Sequence, residues 1–293
     1  MSEFKRLHPL VNMIYFIFAI GFSCVLLNPF CLASSLIGSI AFMLFTESNS
    51  KKNILYFIAV FIFAALFNPL FNHRGLTIIT YFPSGNPLTV ESIVYGLASG
   101  AMLVTVIAWF YCFSKVMTSD KFIYLFGKIA PSLSLILSMT LRFVPRFISE
   151  LKKVSVAQKG IGNGIGQGKL TDRIKNGLSV LSITVTWALE NAVETSDSMK
   201  ARGYGLPGRS AFSIFKFTKK DGLYLFFELL FGTYALVGGI NGAISFEYFP
   251  SYKMAGLAPY TISVYAAYFI FMVLPIIIEI TEVIKWNALK SKI

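Results

Sequence analysis

The sequence predicts an all-α integral membrane protein with about six transmembrane helices and two long cytoplasmic helices. Composition, long apolar blocks and the placement of basic residues support this prediction. Hydrophobic residues make up 55% of the 293 residues and charged residues only 14%, whereas a soluble domain carries about 25% charged residues. The formal net charge is nevertheless +12, so most of the charged side chains are basic.

Six mostly apolar blocks are the candidate membrane spans, since crossing a bilayer takes about 20 residues. The first two blocks are short, are extended by their flanking residues and are joined by a tight turn at Asn28-Pro29. The other four are long enough to cross a bilayer. The blocks are residues 13–27, 31–45, 54–71, 93–113, 223–244 and 257–280.

The placement of the basic residues predicts the direction of crossing. With the N-terminus inside and six spans, the outside segments contain only Arg74 and Lys253 as basic residues. Nearly every other lysine and arginine falls inside or at the inner ends of spans, as the positive-inside rule requires. We therefore expect a multi-pass cell-membrane protein with cytoplasmic N- and C-termini, in which the positive charge requires no nucleic-acid partner.

The middle of the chain does not follow this pattern of spans. Residues 114–220 form a predicted cytoplasmic region between N-terminal transmembrane helices in 1–113 and C-terminal ones in 221–293. Residues 122–140 are apolar but are interrupted by a lysine, a proline and three serines. We expect a helix or broken helix there that lies along the inner surface or dips into it and returns.

Two amphipathic helices are predicted in this region. The first covers residues 141–158, where apolar residues recur at helical spacing. A glycine-rich segment, residues 160–168, follows it as a loop or as several nested helix stops. The second helix has an apolar stripe at Leu178, Leu181, Val185, Ala188, Ala192 and Met199.

The second helix ends at a strong stop signal, Gly203, Gly205 and Pro207. Lys200 and Arg202 fall in or just past its last turn. The simplest function for these cations is to interact with the helix macrodipole, which is worth roughly 0.3–1 kcal/mol. An arginine at a helix end is also well suited to bidentate pairing with a carboxylate on another protein.

Residues 195–205, TSDSMKARGYG, resemble the second signature of the transmembrane T component of energy-coupling factor (ECF) transporters. These are ABC-type importers of vitamins and metals, and the related cobalt permeases share the signature. Residues 141–145, LRFVP, followed by Glu150 and Ala157-Gln158, resemble the first signature region. Residues 72–97 resemble the family's segment ahead of its next span, so the similarity covers roughly residues 50–285.

The resemblance implies that Ala201, Arg202 and Gly203 form an ATPase-coupling motif at the end of the second helix. In this interpretation five further residues support the two coupling helices. These supporting residues are Asp197, Ser198, Met199, Arg142 and Pro145.

The first signature departs from the family pattern, which ends in Ala-Arg-Gly. This chain has a degenerate motif there, Gln158, Lys159, Gly160, Ile161 and Gly162, with Ile161 in the arginine position. Either Lys159 substitutes from two residues upstream or this helix docks by apolar contact. In both cases the two helix ends should bind their partners unequally.

The resemblance implies a non-catalytic scaffold and coupling subunit of an ECF-type ABC importer. It would pass the ATP-driven movement of two ATP-binding cassette ATPase subunits to a substrate-binding S component, for uptake of a vitamin or transition metal ion. The chain has no G-x-x-x-x-G-K-[S/T] phosphate loop, so hydrolysis is expected in the partner subunits and no cofactor is predicted. We expect the lipid bilayer of a prokaryotic plasma membrane as the remaining partner.

The alternative function is that of a secondary transporter with its own substrate site. Glu228 is the main candidate for such a site, because it lies inside a predicted span. A hydrogen-bonded carboxyl between helices is its simpler interpretation, and one acidic residue without a cationic partner makes a poor ion pathway.

An integral membrane enzyme is the third possibility, and the sequence offers little for it. His8 and His73 are the only histidines and fall at opposite membrane faces. Glu190, Glu194 and Asp197 could mimic a metal cluster, but such carboxylates more often pair with nearby lysine or arginine. We therefore predict neither catalytic residues nor a metal site.

Overall fold

The computed structural model describes residues 3–46, 51–81, 86–204, 215–256 and 258–290, and this part of the chain is almost entirely helical. The predicted all-α membrane fold is confirmed. The helices are α1 (Glu3–Arg6), α2 (Pro9–Val25), α3 (Pro29–Thr46), α4 (Lys51–Phe71), α5 (Val90–Val116), α6 (Ser119–Ile129), α7 (Pro131–Gly160), α8 (Leu170–Ala201), α9 (Lys219–Ile240) and α10 (Pro259–Lys290). The strands are β1 (Ile78–Tyr81), β2 (Pro87–Thr89), β3 (Phe246–Glu247) and β4 (Lys253–Met254).

Six apolar helices coincide with the six predicted blocks: α2, α3, α4, α5, α9 and α10. Within the described ranges, five of them are long and apolar enough to cross a membrane, and α2, with 17 residues, is the shorter one. The tight turn expected at Asn28-Pro29 joins α2 to α3, and Pro29 opens α3, where its missing N–H costs no helical hydrogen bond.

The chain divides into two compact units. The first unit comprises Met1–Phe122 and Phe215–Ile293, and the second comprises Ile123–Ile214. All six apolar helices belong to the first unit, whereas α7 and α8 lie entirely in the second.

An aromatic cluster fills the core of the first unit. The rings of Tyr15 and Phe271 stack with centroids 5.1 Å apart, and Tyr15 meets the buried Trp109 edge to face at 5.7 Å. The Trp109 indole donates a hydrogen bond of 2.8 Å to Ser35 Oγ, so its one polar group is satisfied inside the core. These contacts join α2, α3, α5 and α10 through side chains rather than through loops.

Helices α4 and α5 pack at a spacing that requires glycine. A Cβ placed on Gly96 would lie 2.6 Å from the carbonyl oxygen of Ala65, and one on Gly100 would lie 3.2 Å from the Ala65 nitrogen. Lipid tails are as apolar as the side chains, so helices in membranes associate through such close packing rather than through the hydrophobic effect. The glycines of α5 therefore provide the contact surface for α4.

Two short antiparallel hairpins, which the sequence analysis did not predict, connect apolar helices. Strands β1 and β2 pair between α4 and α5, and β3 and β4 pair between α9 and α10. Both hairpins are only a few residues long, too short for the alternating hydrophobic pattern that signals a strand. They satisfy backbone groups in the two segments that the charge pattern assigns to the outside.

The second unit is a helical hairpin whose bounds differ from those predicted. The broken helix expected over residues 122–140 is present, because α6 ends at Ile129 and α7 begins at Pro131. The amphipathic helix expected to start at residue 141 instead starts at Pro131, where proline fits the first turn. It continues through Pro145 to Gly160, and α8 then begins at Leu170.

Candidate functional site: the two helix tips

Helices α7 and α8 lie antiparallel. The Arg146 guanidinium lies over the Trp187 ring, 5.5 Å from its centroid, while Phe143 and Met199 line one pocket. At the other end, Asn176 donates a hydrogen bond of 3.2 Å to the Gly164 carbonyl oxygen. Residue numbers rise along α7 as they fall along its partner, so the ends of the two helices lie at opposite ends of the hairpin.

The separation of the two helix ends follows from the length of α8. This helix has 32 residues, which at 1.5 Å per residue is about 48 Å. We call residues 158–163 the α7 tip and residues 199–204 the α8 tip. Because the α7 tip leads directly into the start of α8, about one helix length separates the two tips.

The α8 tip closes in a Schellman motif. Tyr204 N–H donates to the Met199 carbonyl oxygen at 3.0 Å, and Gly203 N–H donates to that of Lys200 at 2.9 Å. Gly203 adopts φ +77°, the left-handed conformation that this motif requires and that glycine adopts without strain. The sequence predicted this conformation; Gly205 and Pro207, the rest of the predicted stop signal, lie outside the described residues.

The α7 tip closes in the same way. Asn163 N–H donates to the Gln158 carbonyl oxygen at 2.9 Å, and Gly162 N–H donates to that of Lys159 at 3.2 Å. Gly162 has φ +87°. The glycine-rich segment therefore begins with a true helix stop, and a turn at Gly164–Gln167 follows it.

The two caps correspond position by position. Ile161 is the C-cap of α7 with φ −95° and ψ 12°, and Arg202 is the C-cap of α8 with φ −83° and ψ 6°. Lys159 and Lys200 both lie two residues before their caps, and Gly160 corresponds to Ala201. Cap geometry thus puts Ile161 where the other tip has its arginine.

Among the residues that the structure describes, no side chain holds the Arg202 guanidinium in a hydrogen bond or an ion pair. Lys200 Nζ lies 3.4 Å from Asp197 Oδ1, an exposed pair of the kind that contributes little stability. Arg202 is exposed and forms no ion pair with any other residue that the structure describes. The carbonyl oxygen of Ser198 accepts the Arg202 N–H at 3.2 Å.

A pocket of about 370 Å³ with mostly apolar walls lies between the α8 tip and the start of α7. Met199, Tyr204 and Phe143 are among its lining residues. Arg142 and Pro145 belong to the predicted first signature region. Both are exposed on α7, close in sequence to Phe143, which lines the pocket. The antiparallel pairing therefore brings this region to the second motif, a proximity that spacing along the chain could not reveal.

The buried stripe of α8 differs from the predicted one. Val180 and Thr184 are buried, whereas Leu178, Leu181 and Val185 are exposed at 61%, 47% and 43%. The predicted stripe therefore misses the α7-facing side in the first half of α8, whereas Ala192 and Met199 of the same stripe do line the pocket against α7. The exposed aliphatic side chains of α8 therefore form a second apolar surface.

The α7 tip has basic residues that the sequence analysis did not single out. Lys169 and Arg173 are exposed beside it, at the start of α8. Asp172 uses its carboxylate to accept the Lys169 backbone N–H at 3.1 Å, which caps α8. These cations lie beside the tip rather than at its apex.

Glu228 does not form the expected hydrogen bond. It is 0% exposed in α9, and neither carboxyl oxygen has a hydrogen-bond partner among the described residues. The nearby Tyr15 donates its hydroxyl to the Met272 carbonyl oxygen at 3.2 Å instead. The structure therefore does not confirm the interpretation of Glu228 as a hydrogen-bonded carboxyl between helices.

The residues considered for catalysis do not converge. His8 accepts the Leu10 N–H through Nδ1 at the start of α2, and His73 Nε2 lies 3.2 Å from Asn86 Nδ2 after α4. In the described parts of the chain, no group of three histidine, cysteine, aspartate or glutamate side chains could hold a metal ion. Glu190 and Glu194 are exposed on α8.

The comparisons with known proteins identify bacterial relatives of this chain. No protein-family model matches the chain. It is 34% identical over 100 residues to the energy-coupling factor transporter transmembrane protein EcfT of Bacillus selenitireducens, which covers 34% of this chain and 37% of that protein. The corresponding Staphylococcus aureus protein is 39% identical over 72 residues, covering 25% and 27%.

A longer match extends to the transmembrane protein EcfT of Listeria innocua. It is 29% identical over 203 residues and covers 62% of this chain and 74% of that relative. The Bacillus and Staphylococcus matches span well under half of those proteins' own lengths. The resemblance inferred from residues 195–205 is confirmed by these homologues.

Proposed function

Because the chain is a homologue of the energy-coupling factor transporter transmembrane proteins, we propose that it is the membrane scaffold and coupling subunit of an ECF-type ABC importer. It passes the ATP-driven movement of two ATP-binding cassette ATPase subunits to a substrate-binding S component. The cargo is a vitamin or a transition metal ion. The observation that carries this proposal is Arg202, exposed and without an ion pair among the described residues, at the C-cap of a 32-residue helix.

Arg202 is the residue through which the α8 tip holds an ATPase subunit. Its guanidinium offers planar, bidentate hydrogen bonding to a carboxylate in a groove of that subunit. Gly203 has no side chain and ends the helix at φ +77°, so the partner surface can approach the helix end closely. Ala201 keeps the last turn narrow for the same reason.

Two tips about one helix length apart suit a subunit that contacts two ATPase subunits. ATP shifts a conformational equilibrium only through its different affinities for the two states. Since ATP binds in the partners, their movement has to reach the membrane through stiff elements. The contact of Arg146 with Trp187 and the burial of Val180 and Thr184 join α7 and α8 side by side.

The exposed aliphatic residues of α8 are the proposed contact surface for the S component. Leu178, Leu181 and Val185 form an apolar surface outside the α7 contact. An apolar patch of this kind on a helix marks a partner or a lipid surface. A T component has to contact the S component, which carries the substrate site. This apolar surface is the one proposed for that contact.

Membrane orientation follows from charge. With cytoplasmic N- and C-termini, the outside segments between the apolar helices contain only Arg74 and Lys253 as basic residues. Residues 114–220 then lie on the cytoplasmic side, where ATPase subunits can reach both tips. The cell membrane is that of a prokaryote, in keeping with the relatives' bacterial origin.

Arg202→Glu tests the coupling function. Reversing the charge replaces an attractive contact with a repulsive one, and breaking a desolvated charge pair costs about 2–5 kcal/mol. We expect the protein to reach the membrane normally while ATP-driven uptake falls at least about tenfold, since tenfold corresponds to 1.4 kcal/mol. The measurement is substrate uptake by vesicles containing the intact complex.

Lys152→Glu is the matched control, since Lys152 is an exposed cation on α7 away from both tips. Uptake by this variant should stay within about twofold of the unmodified protein, as most exposed substitutions shift stability by no more than about 0.5 kcal/mol. Unchanged uptake in the Arg202→Glu vesicles would rule out the coupling function.

A further inference from the structure

We propose that the α7 tip docks through Ile161 into an apolar depression with an acidic rim, on an ATPase subunit that differs from the one gripping Arg202. The inference rests on the proposed function and deepens it, because it states the chemistry of the second partner site. The two ATPase subunits are then not interchangeable on this chain.

Lys159 does not replace the missing arginine. The corresponding position in the α8 tip is occupied by Lys200, not by Arg202, because both lysines accept the same cap hydrogen bond through their carbonyl oxygens. A Cβ added to Gly164 would lie 3.2 Å from Lys159 Cγ, so the lysine stem packs over the turn that follows the tip. The stem of Lys159 is therefore directed toward this turn.

The apex of the α7 tip is aliphatic and exposed. The side chain of Ile161 is 68% exposed, and the neighbouring Ile165 and Leu170 are 44% and 77% exposed. A carboxylate opposite Ile161 would lose its hydration on docking without gaining a partner, which is unfavourable. An apolar floor, by contrast, removes this aliphatic surface from water.

The flanks of the same tip carry the charge. Lys169 and Arg173 are exposed at the start of α8, and neither forms an ion pair with another residue in the described ranges. Their position beside the apex, rather than on it, matches acidic residues around the rim of the partner's depression. The α8 tip has the opposite arrangement, with its cation at the cap.

Site-specific photo-crosslinking in the intact complex tests the difference between the two partner sites. A photo-reactive amino acid replaces Ile161 in one full-length chain and Arg202 in another, and the probes are the ATP-binding subunits that assemble with each chain. Crosslinked peptides are identified by mass spectrometry. We expect position 161 to join an apolar segment of one ATP-binding subunit and position 202 to join an acidic segment of a different one.

Two contrary results of the crosslinking experiment distinguish a failure of this inference from a failure of the proposed function. Crosslinking of both positions to the same acidic segment would overturn the present inference and leave the proposed function intact. Absence of an ATP-binding subunit at both positions would overturn the proposed function itself.

Substitutions at Ile161 provide an independent measurement. Ile161→Leu keeps an aliphatic apex and should retain ATPase affinity within about twofold, whereas Ile161→Arg should lower it at least about tenfold. Because Ile161 is exposed, neither change should unfold the hairpin, which circular dichroism checks. Equal or tighter binding of the ATPase subunit by Ile161→Arg would show that the partner surface opposite residue 161 is acidic and accepts an arginine. This result would contradict the inference.

Discussion

Glycine at the position after each helix cap adopts a left-handed conformation, and at Gly162 this conformation rather than limited space requires glycine. Gly162 and Gly203 have φ +87° and +77°, where a residue with a Cβ pays roughly 1–2 kcal/mol. At Gly162 no atom lies within 4 Å of the position that a Cβ would take. Any cost of substitution there comes from the backbone alone.

Gly162→Ala should loosen the α7 tip without a steric clash. A penalty of roughly 1–2 kcal/mol weakens the two cap hydrogen bonds and should raise amide exchange of residues 162–163 by a factor of about 5–30. Hydrogen–deuterium exchange of the protein in nanodiscs measures this change. Gly177→Ala is the matched control, since Gly177 lies inside α8 and likewise has open space where a Cβ would be added.

The control should behave in the opposite way. Alanine in a helix interior is favoured over glycine by roughly 0.5–1 kcal/mol, so exchange around residue 177 should slow. Equal exchange at the cap in the protein with and without Gly162→Ala would show that the Schellman cap does not hold this tip.

At the scale of elements, the short helix α1 shows how few residues can link several helices. The Glu3 and Phe4 N–H groups donate to the Glu279 carboxylate of α10, at 3.2 and 3.0 Å. Lys121 Nζ donates to the Lys5 carbonyl oxygen at 2.6 Å, so both ends of α1 are capped by distant side chains. Phe4 lies fully buried against Tyr15 and closes the arrangement.

The lysine that caps α1 should make stability depend on pH. Burial, followed by the neighbouring Lys5 charge, lowers the pKa of Lys121 to about 8 from its ordinary 10.5. Between these two pH values the unfolded chain binds more protons at this residue than the folded chain, so its contribution to stability rises with pH across this window. Below pH 8 both states carry the proton and the contribution is constant.

Lys121→Met removes this titration. We expect the unfolding temperature of the unmodified protein to rise between pH 8 and pH 10 relative to that of the variant. Lys121→Arg is a second comparison, because arginine stays charged throughout this range and should likewise lack the rise. A difference between unmodified protein and Lys121→Met that is the same at both pH values would contradict the shifted pKa.

Helix bounds were predictable where composition changes and not where the cause is tertiary. The predicted break between residues 122 and 140 occurs at Ala130-Pro131. Pro145, however, lies inside α7 without ending it, although a proline removes one helical hydrogen bond. The helix remains continuous there and presents Phe143 and Arg146 to α8.

At the scale of the whole molecule, the two units have different contents. The first unit contains the apolar helices and the aromatic core, while the second contains both helix tips. Glu228 is buried in the first unit and pairs with no cation among the described residues. This distribution suits a coupling subunit better than a secondary transporter with an ion pathway of its own.

The chain should hydrolyse no ATP when it is purified alone. The sequence has no phosphate-binding loop of the P-loop type, so phosphate release by the isolated protein in nanodiscs should equal that of empty nanodiscs. The complex with its ATPase subunits should hydrolyse ATP. Arg202→Glu should reduce the rate of ATP hydrolysis by this complex. Hydrolysis by the isolated chain that is insensitive to Arg202→Glu would favour the enzyme interpretation instead.

The sequence alone determined the apolar helices and the concentration of basic residues between Arg142 and Lys220, and it predicted a coupling motif at residues 201–203. These properties depend on local composition and on short motifs, which can be recognised from neighbouring residues in the sequence. The tertiary structure decided which faces pair and that the two tips lie at opposite ends of a hairpin, and its helix caps agree with the sequence-based placement of Ile161 opposite Arg202. Pairing of faces depends on how α7 and α8 pack, and residues far apart in the chain set that packing.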